Sequence, residues 1–326
     1  MLTIGPELLR ELTPWPALID AISTAFREPC EMPPRLHCDV SVPGAPAGTL
    51  LLMPAWTVGG LLGVKVVQVF PGNSLINKPA IHGIYMLASA RDGEVLAMMD
   101  AQELTARRTA ATSALAAGFL SRRTSRRLLV MGTGRLAFNM AAAHASIRPI
   151  EQVSFWGRNR DRAVCLASEV RKELDIEADV VDDLPEAISR ADIISTVTTT
   201  REPILPGRFL SAGTHVDLVG GFTPEMRETD DDTVKSAHVY VDDSKTAPQK
   251  AGDIRIPIDR GLIRQSDIKG DLFALCQQRI RGRSSDDDIT LFKSVGVALE
   301  DLAAAGLAWN TLDKKPHLRE TPAQSV

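Results

Sequence analysis

Gly132, Gly134 and Ala137 form a Gly-x-Gly-x-x-Ala turn between the apolar run "LLVM" and a stretch of helix formers, "LAFNMAAAHA". The pattern carries weight only when a strand precedes it and a helix follows, and both signals are present here. Gly132 permits the tight turn, Gly134 lets a pyrophosphate approach the backbone, and Ala137 lets helix and strand pack closely. Thr133, Arg135 and Leu136 complete a loop whose N–H groups, with the positive end of the following helix, suit phosphate oxygens. The chemistry implied is dinucleotide binding.

The end of the next apolar run selects the dinucleotide. An NAD site usually places an acid there to hold the ribose hydroxyls. Here "VSFWGRNRDRA" puts Arg158, Asn159 and Arg160 after Gly157, and Asp161 falls late enough to read as an acid in the first turn of a helix. An acid would repel a 2′-phosphate, whereas arginine grips one bidentately. The expected cofactor is NADPH, with NADH weaker. The bland alternative for Arg158 and Arg160 is a solvated turn.

Three further cations stand in unusual company. Lys65 lies inside "GVKVVQVF", Arg35 follows Pro33-Pro34, and Arg108 sits among small residues in "ARRTAATSALAA". Each alone can snorkel to solvent or join a structural ion pair. Together they offer charge-assisted hydrogen bonds for the carboxylate of a small acid.

These residues need a scaffold, and the chain is long enough for two domains: 326 residues, 44% hydrophobic and 24% charged, with formal net charge -4. That mild acidity argues against nucleic acid as a partner. The one basic cluster, "SRRTSRR", reads as a solvated linker. Cys30, Cys38, Cys165 and Cys276 are scattered, the six histidines form no ligand pattern, and no metal is expected. The opening stretch lacks the basic start and apolar core of a signal peptide, and no apolar run reaches the ~18 residues of a membrane span. A soluble cytoplasmic protein is the expectation.

Residues Leu8 to Arg27 carry helical spacing. The runs "LLLMPAW", "GLLGVKVVQVFP" and "AIHGIYMLASA" read as strands, followed by a hairpin turn at Asp92-Gly93 and another strand. An antiparallel or mixed sheet with a leading helix follows, then a long helix, "DAQELTARRTAATSALAAGFL". From Leu128 strands and helices alternate, which indicates a parallel sheet covered by helices. The fold class is therefore α/β: an α+β first part followed by a parallel-sheet dinucleotide domain. The last ten or so residues are polar enough to be loose.

In order along nearly the whole chain, "PPR", "GVKVVQVFPGN", "RTAATSALAA", "MGTGRLA", "ADIISTVTTT", "VGG" and "FKSVGVALED" resemble the ornithine cyclodeaminase/μ-crystallin family. The resemblance implies a homodimer, with an α+β substrate and dimerisation domain at 1–122, rejoined by 305–326, and a Rossmann-type dinucleotide domain at 123–304; it matches Arg35, Lys65 and Arg108 to the family's substrate-carboxylate ligands. It matches Thr198 and its neighbours, Val219 and the Val295-Gly296 turn to nucleotide and nicotinamide contacts.

Two positions depart from the family pattern. Cyclodeaminases carry an aspartate directly after the Gly-Gly pair, where it handles the substrate's side-chain amine; this chain has Phe222. The family commonly has threonine where "AIHGIYML" has His82, which alternation puts on one strand face with Ile84 and Met86. His82 reads either as a hydrogen-bonded core histidine or as a polar group reaching the substrate. The "GGFTPEMRE" stretch resembles the branch that reduces cyclic ketimines, Δ1-pyrroline-2-carboxylate to L-proline and Δ1-piperideine-2-carboxylate to L-pipecolate. The resemblance thus implies a small cyclic imino acid as partner, with Lys65, His82 and Arg108 catalytic and Arg35 and Phe222 in contact with substrate. An ornithine or lysine cyclodeaminase, a reductive aminase of 2-oxo acids, and a non-catalytic ligand-binding protein stay open as alternatives.

Overall fold

The computed structural model describes residues 1–76 and 78–314; residues 315–326, the end of the expected return segment, lie outside the described residues. Two compact units divide the chain, Met1–Arg108 with the segment from Ala298 onward, and Thr109–Val297. The division falls within a single helix, earlier than the 122/123 junction read from the sequence.

The first unit opens with β1 (Leu2–Ile4), α1 (Pro6–Leu12) and α2 (Trp15–Ala25). The sequence suggested one helical stretch from Leu8 to Arg27. Pro14 lacks an N–H and pushes Thr13 out of helical conformation, so the chain breaks there into two helices. Then come β2 (Leu36–Val40), β3 (Gly48–Trp56), β4 (Leu61–Val69), β5 (Ile81–Ser89), β6 (Val95–Asp100) and the start of α3 (Ala101–Leu120). Gly93 takes the positive φ of 79° that the hairpin needs. The sheet order is β1-β6-β5-β4-β3-β2, with β1 parallel to β6 and the remaining pairs antiparallel, hence mixed.

Cross-strand register separates the two faces of this sheet. Met53, Lys65, Tyr85 and Met99 lie side by side across β3, β4, β5 and β6 and are all buried. The C-terminal helix Ala298–Lys314 packs against β3, β4 and β5. Leu36, Leu52, Val66 and Ile84 form the adjacent row, one residue out of phase and therefore on the opposite face. In that row Leu36 and Ile84 are exposed, at 52% and 45%.

The second unit alternates strand and helix. In order it holds the rest of α3, β7 (Arg127–Met131), α4 (Leu136–Ala145), β8 (Gln152–Trp156), α5 (Arg160–Leu174), β9 (Glu177–Val180), α6 (Leu184–Arg190), β10 (Ile193–Thr196) and β11 (His215–Leu218). It continues with α7 (Asp231–Ser236), β12 (His238–Val241), α8 (Ala247–Lys250), α9 (Gly252–Asp259), β13 (Gly270–Asp271), α10 (Leu272–Cys276) and β14 (Thr290–Lys293). The strands form one parallel sheet in the order β13-β12-β14-β11-β10-β7-β8-β9. Leu129, Met131, Ile194, Val216, Leu218 and Leu291 make a continuous core beneath it. The order reverses between β7 and β10, so their carboxyl ends form the topological switch point where such sheets bind ligands.

Candidate functional site

At that switch point β7 is followed by Gly132, whose φ of 132° is open to glycine and strained for other residues. A Cβ there would stand 2.9 Å from the Val197 carbonyl oxygen after β10. Glycine thus lets the two strand ends close on each other. Gly134 and Arg135 are exposed, and a Cβ at Gly134 would meet nothing within 4 Å, leaving room for a ligand over the backbone. Leu136 opens α4 and Ala137 is fully buried against the sheet. Thr133 leans on Gly157, where a Cβ would come within 2.7 Å of the Thr133 Cγ2. Turn and second strand end therefore fit together as a cradle.

The three residues after Gly157 take separate roles. Arg158 is exposed. The Asn159 side chain caps α5, its Oδ1 accepting from the Arg162 N–H at 3.0 Å. Arg160 begins α5 and pairs with Asp182 at the surface, an interaction worth little because water screens it. Asp161 lies in the first helical turn.

Thr198 is half-buried just beyond β10, and Val219 is buried just beyond β11. The Val295-Gly296 turn follows β14, where both N–H groups donate to the Asp242 Oδ2, at 2.6 and 2.7 Å. Burial pushes the Asp242 carboxyl up to about 6, against those hydrogen bonds. Phe222 is 47% exposed.

In the first unit, Lys65 and Arg108 converge beneath the C-terminal helix, around two acids whose role is not readable from the sequence. The Lys65 ammonium donates to the Asp301 Oδ1 at 2.8 Å, and Arg108 Nε donates to the same oxygen at 3.1 Å. Arg108 Nη1 donates to the Glu300 Oε2 at 2.5 Å. All four side chains are buried. Burial drives the Lys65 ammonium down to about 8, with Asp301 opposing and the Arg108 charge adding to the fall. Burial alone would raise the Asp301 carboxyl, but Lys65 and Arg108 outweigh it and hold it below the usual range. Arg35 is half-buried and near enough for its charge to act on both Lys65 and Asp301. Arg107 turns away, as adjacent helical residues must. It stacks on Trp15 and donates to Thr13.

His82 does not join this cluster. It pairs in register with Gln68, in phase with Ile84 and Met86 as alternation requires, and is exposed on the face opposite Lys65. It is neither a core histidine nor a neighbour of Lys65. The alternation is correct, but which face the helices cover is set by strand register, which one residue of slip reverses.

A second buried polar group brings together residues far apart in the sequence. Glu228, Asp253 and Lys293 lie under the Gly220-Gly221 turn, and none is exposed.

A parallel sheet with a glycine cradle at its switch point defines a Rossmann-type α/β protein, here with a second unit built on a mixed sheet. The chain belongs to the ornithine cyclodeaminase/mu-crystallin family, whose model matches residues 7–315. It is 38% identical to a Delta(1)-pyrroline-2-carboxylate reductase of Paracoccus denitrificans over 290 residues, 88% of this chain and 90% of that protein. Among solved structures it resembles the Delta(1)-pyrroline-2-carboxylate reductase of Thermococcus litoralis in complex with NADH and L-proline. That match has a TM-score of 0.89 and 31% identity, over 97% of this chain and 98% of that one. It also resembles an archaeal alanine dehydrogenase dimer with bound NAD, with a TM-score of 0.87 and 29% identity over 97% of both chains.

Proposed function

We propose that this protein reduces cyclic ketimines, Δ1-pyrroline-2-carboxylate to L-proline and Δ1-piperideine-2-carboxylate to L-pipecolate, with NADPH preferred over NADH. The observation that carries the reading is Phe222. An apolar ring stands directly after Gly220-Gly221, where a cyclodeaminase needs an acid to handle the substrate's amine. Likeness to relatives named for pyrroline-2-carboxylate reduction supports the same conclusion.

The residues fit a dinucleotide: the Gly132 turn, the open backbone at Gly134 and the start of α4 offer N–H donors to a pyrophosphate. In this reading Arg158, exposed two residues beyond β8, takes a 2′-phosphate, and Thr198, Val219, Val295 and Gly296 meet the nicotinamide end. A dihydronicotinamide held there would supply the hydride for reduction of the protonated imine at C2, itself becoming oxidised. Lys65 and Arg108, with Arg35, hold the substrate carboxylate by charge-assisted hydrogen bonds. Asp301 keeps Lys65 and Arg108 aimed together, and Phe222 offers an apolar wall. No base on the protein is needed, because the ring is already closed and its nitrogen protonated.

The test is NADPH consumption with each cyclic imine, with NADH in parallel, beside ammonia release from L-ornithine and L-lysine with NAD. Imine reduction without ammonia release is expected; substantial ornithine turnover would replace this reading with cyclodeamination. The archaeal alanine dehydrogenase likeness favours a second reading, reductive amination of a 2-oxo acid, which the same assay checks with pyruvate and ammonia. We read the protein as a cytoplasmic homodimer, formed through the apolar row of Leu36, Leu52, Val66 and Ile84. A sheet face of that composition needs an apolar partner to leave water.

A further inference from the structure

We propose that Glu228 is a positioning residue for the nicotinamide end of the dinucleotide site, setting where Thr198 and the Gly220-Gly221-Phe222 turn stand. The inference rests on the dinucleotide-binding part of the function proposed above.

The geometry carries it. Glu228 Oε1 accepts from the Thr198 N–H at 2.7 Å and from Thr198 Oγ1 at 2.8 Å. Its Oε2 accepts from Thr196 Oγ1 at 2.8 Å and from the N–H groups of Gly220 and Gly221 at 2.7 and 3.3 Å. One buried carboxylate therefore joins the carboxyl end of β10 to the turn that leaves β11. Its own backbone is held in turn. The Glu228 N–H donates to Asp253 Oδ1 at 2.7 Å, and its carbonyl accepts from Ile204 and Leu205 at 2.9 and 3.0 Å. Lys293, at the end of β14, lies 3.5 Å from Asp253 Oδ2 and donates to the Leu218 carbonyl at 3.1 Å. The ends of three neighbouring strands are thus tied through two linked acids, Glu228 and Asp253.

The turn can approach this closely only as a glycine pair. A Cβ on Gly220 would stand 1.8 Å from the Thr198 carbonyl oxygen, and one on Gly221 would stand 2.6 Å from Asp253 Oδ2. The partners named for the Glu228 carboxylate are donors, and those at Thr198, Gly220 and Gly221 include backbone N–H groups that cannot reverse. In Glu228→Gln either orientation of the amide points an NH2 at one of these N–H groups. Thr198 or the glycine turn must then shift, while the pyrophosphate and adenosine side of the site, at Gly132–Ala137 and Arg158, keeps its own supports.

The experiment titrates intact wild type, Glu228→Gln and Thr196→Val with NADPH and with adenosine 2′,5′-bisphosphate, which lacks the nicotinamide half. Disrupting hydrogen bonds to a buried charge should weaken NADPH binding about tenfold or more in Glu228→Gln, leaving the bisphosphate affinity within about twofold. Thr196→Val, a near-isosteric change that removes one bond, should move NADPH affinity the same way by a smaller factor. Equal loss for both ligands would mean a merely structural role and overturn the proposal, as would no loss for either. If Glu228→Gln does not fold, unchanged NADPH affinity in Thr196→Val overturns it. Wild type that binds neither NADPH nor NADH would instead defeat the functional reading and this inference with it.

Discussion

Lys65 gives the proposal a pH signature. Its ammonium is 3% exposed, and burial brings it from 10.5 to about 8 although Asp301 stands 2.7 Å away. A lysine lowered in this way keeps its charge below pH 8 and loses it as pH rises, so the effect belongs on the alkaline side. Because kcat/KM reports ionisations of the free enzyme, the charged fraction of Lys65 should appear in it directly. About 90% of Lys65 is charged at pH 7 and about 10% at pH 9, so kcat/KM should fall roughly tenfold between them. The kcat should change less, because a bound carboxylate stabilises the ammonium. The cyclic imine also loses a proton on the alkaline side, so the assay needs a ligand that does not titrate there. Pyrrole-2-carboxylate, a planar ring acid without a basic nitrogen, is the ligand to test as a competitive inhibitor, and its Ki is expected to rise through the same range. Lys65→Arg keeps a charge that does not titrate below pH 12 and should flatten that rise. A Ki that is flat to pH 9.5 in wild type, or one that rises equally in Lys65→Arg, would refute the assignment of Lys65 to the carboxylate.

Three further outcomes follow from the same geometry. Arg158→Ala should cost NADPH about 2–3 kcal/mol, roughly 30- to 150-fold in kcat/KM, and leave NADH nearly unchanged; an unaltered cofactor preference would remove Arg158 from the site. Asp301→Asn leaves Lys65 and Arg108 without their shared counter-charge and should lower unfolding free energy by ~3–5 kcal/mol in urea titrations. A loss below about 1 kcal/mol would mean water already reaches the pair. Ile84→Lys places a charge in the apolar sheet row and should halve the mass seen by light scattering, whereas an unchanged dimer would move the interface elsewhere.

The glycine turn was legible because its demands are local. Gly132, Gly134 and Ala137 answer to a strand and helix within twenty residues, and the sheet built from those alternating elements supplies the switch point they occupy. Lys65 and Arg108 were legible as misfits, cations among apolar or small neighbours. Their partners were not, because Asp301 lies 236 residues from Lys65 and an acid at the start of a helix reads locally as an ordinary first-turn residue. His82 failed for another reason: alternation relates residues within a strand but cannot tell which face the helices will cover.

Lys293 narrows what sequence reasoning can recover. In "ITLFKSVG" it bears the mark that singles out Lys65 in "GVKVVQVF", a cation inside an apolar strand, and it is fully buried. Burying an ammonium without an acid is prohibitive, so each such lysine implies a buried carboxylate that no local pattern announces. For Lys65 that acid is Asp301, and for Lys293 it is Asp253. What separates the two is what lies beyond the acid. Asp301 also pairs with Arg108, a second cation, in a cluster suited to an incoming carboxylate. Asp253 instead passes its hold to the Glu228 backbone, so its lysine is spent on the shape of a turn. The misfit residue locates both centres, and only the partners tell them apart, a second cation at Asp301 and a backbone N–H at Asp253.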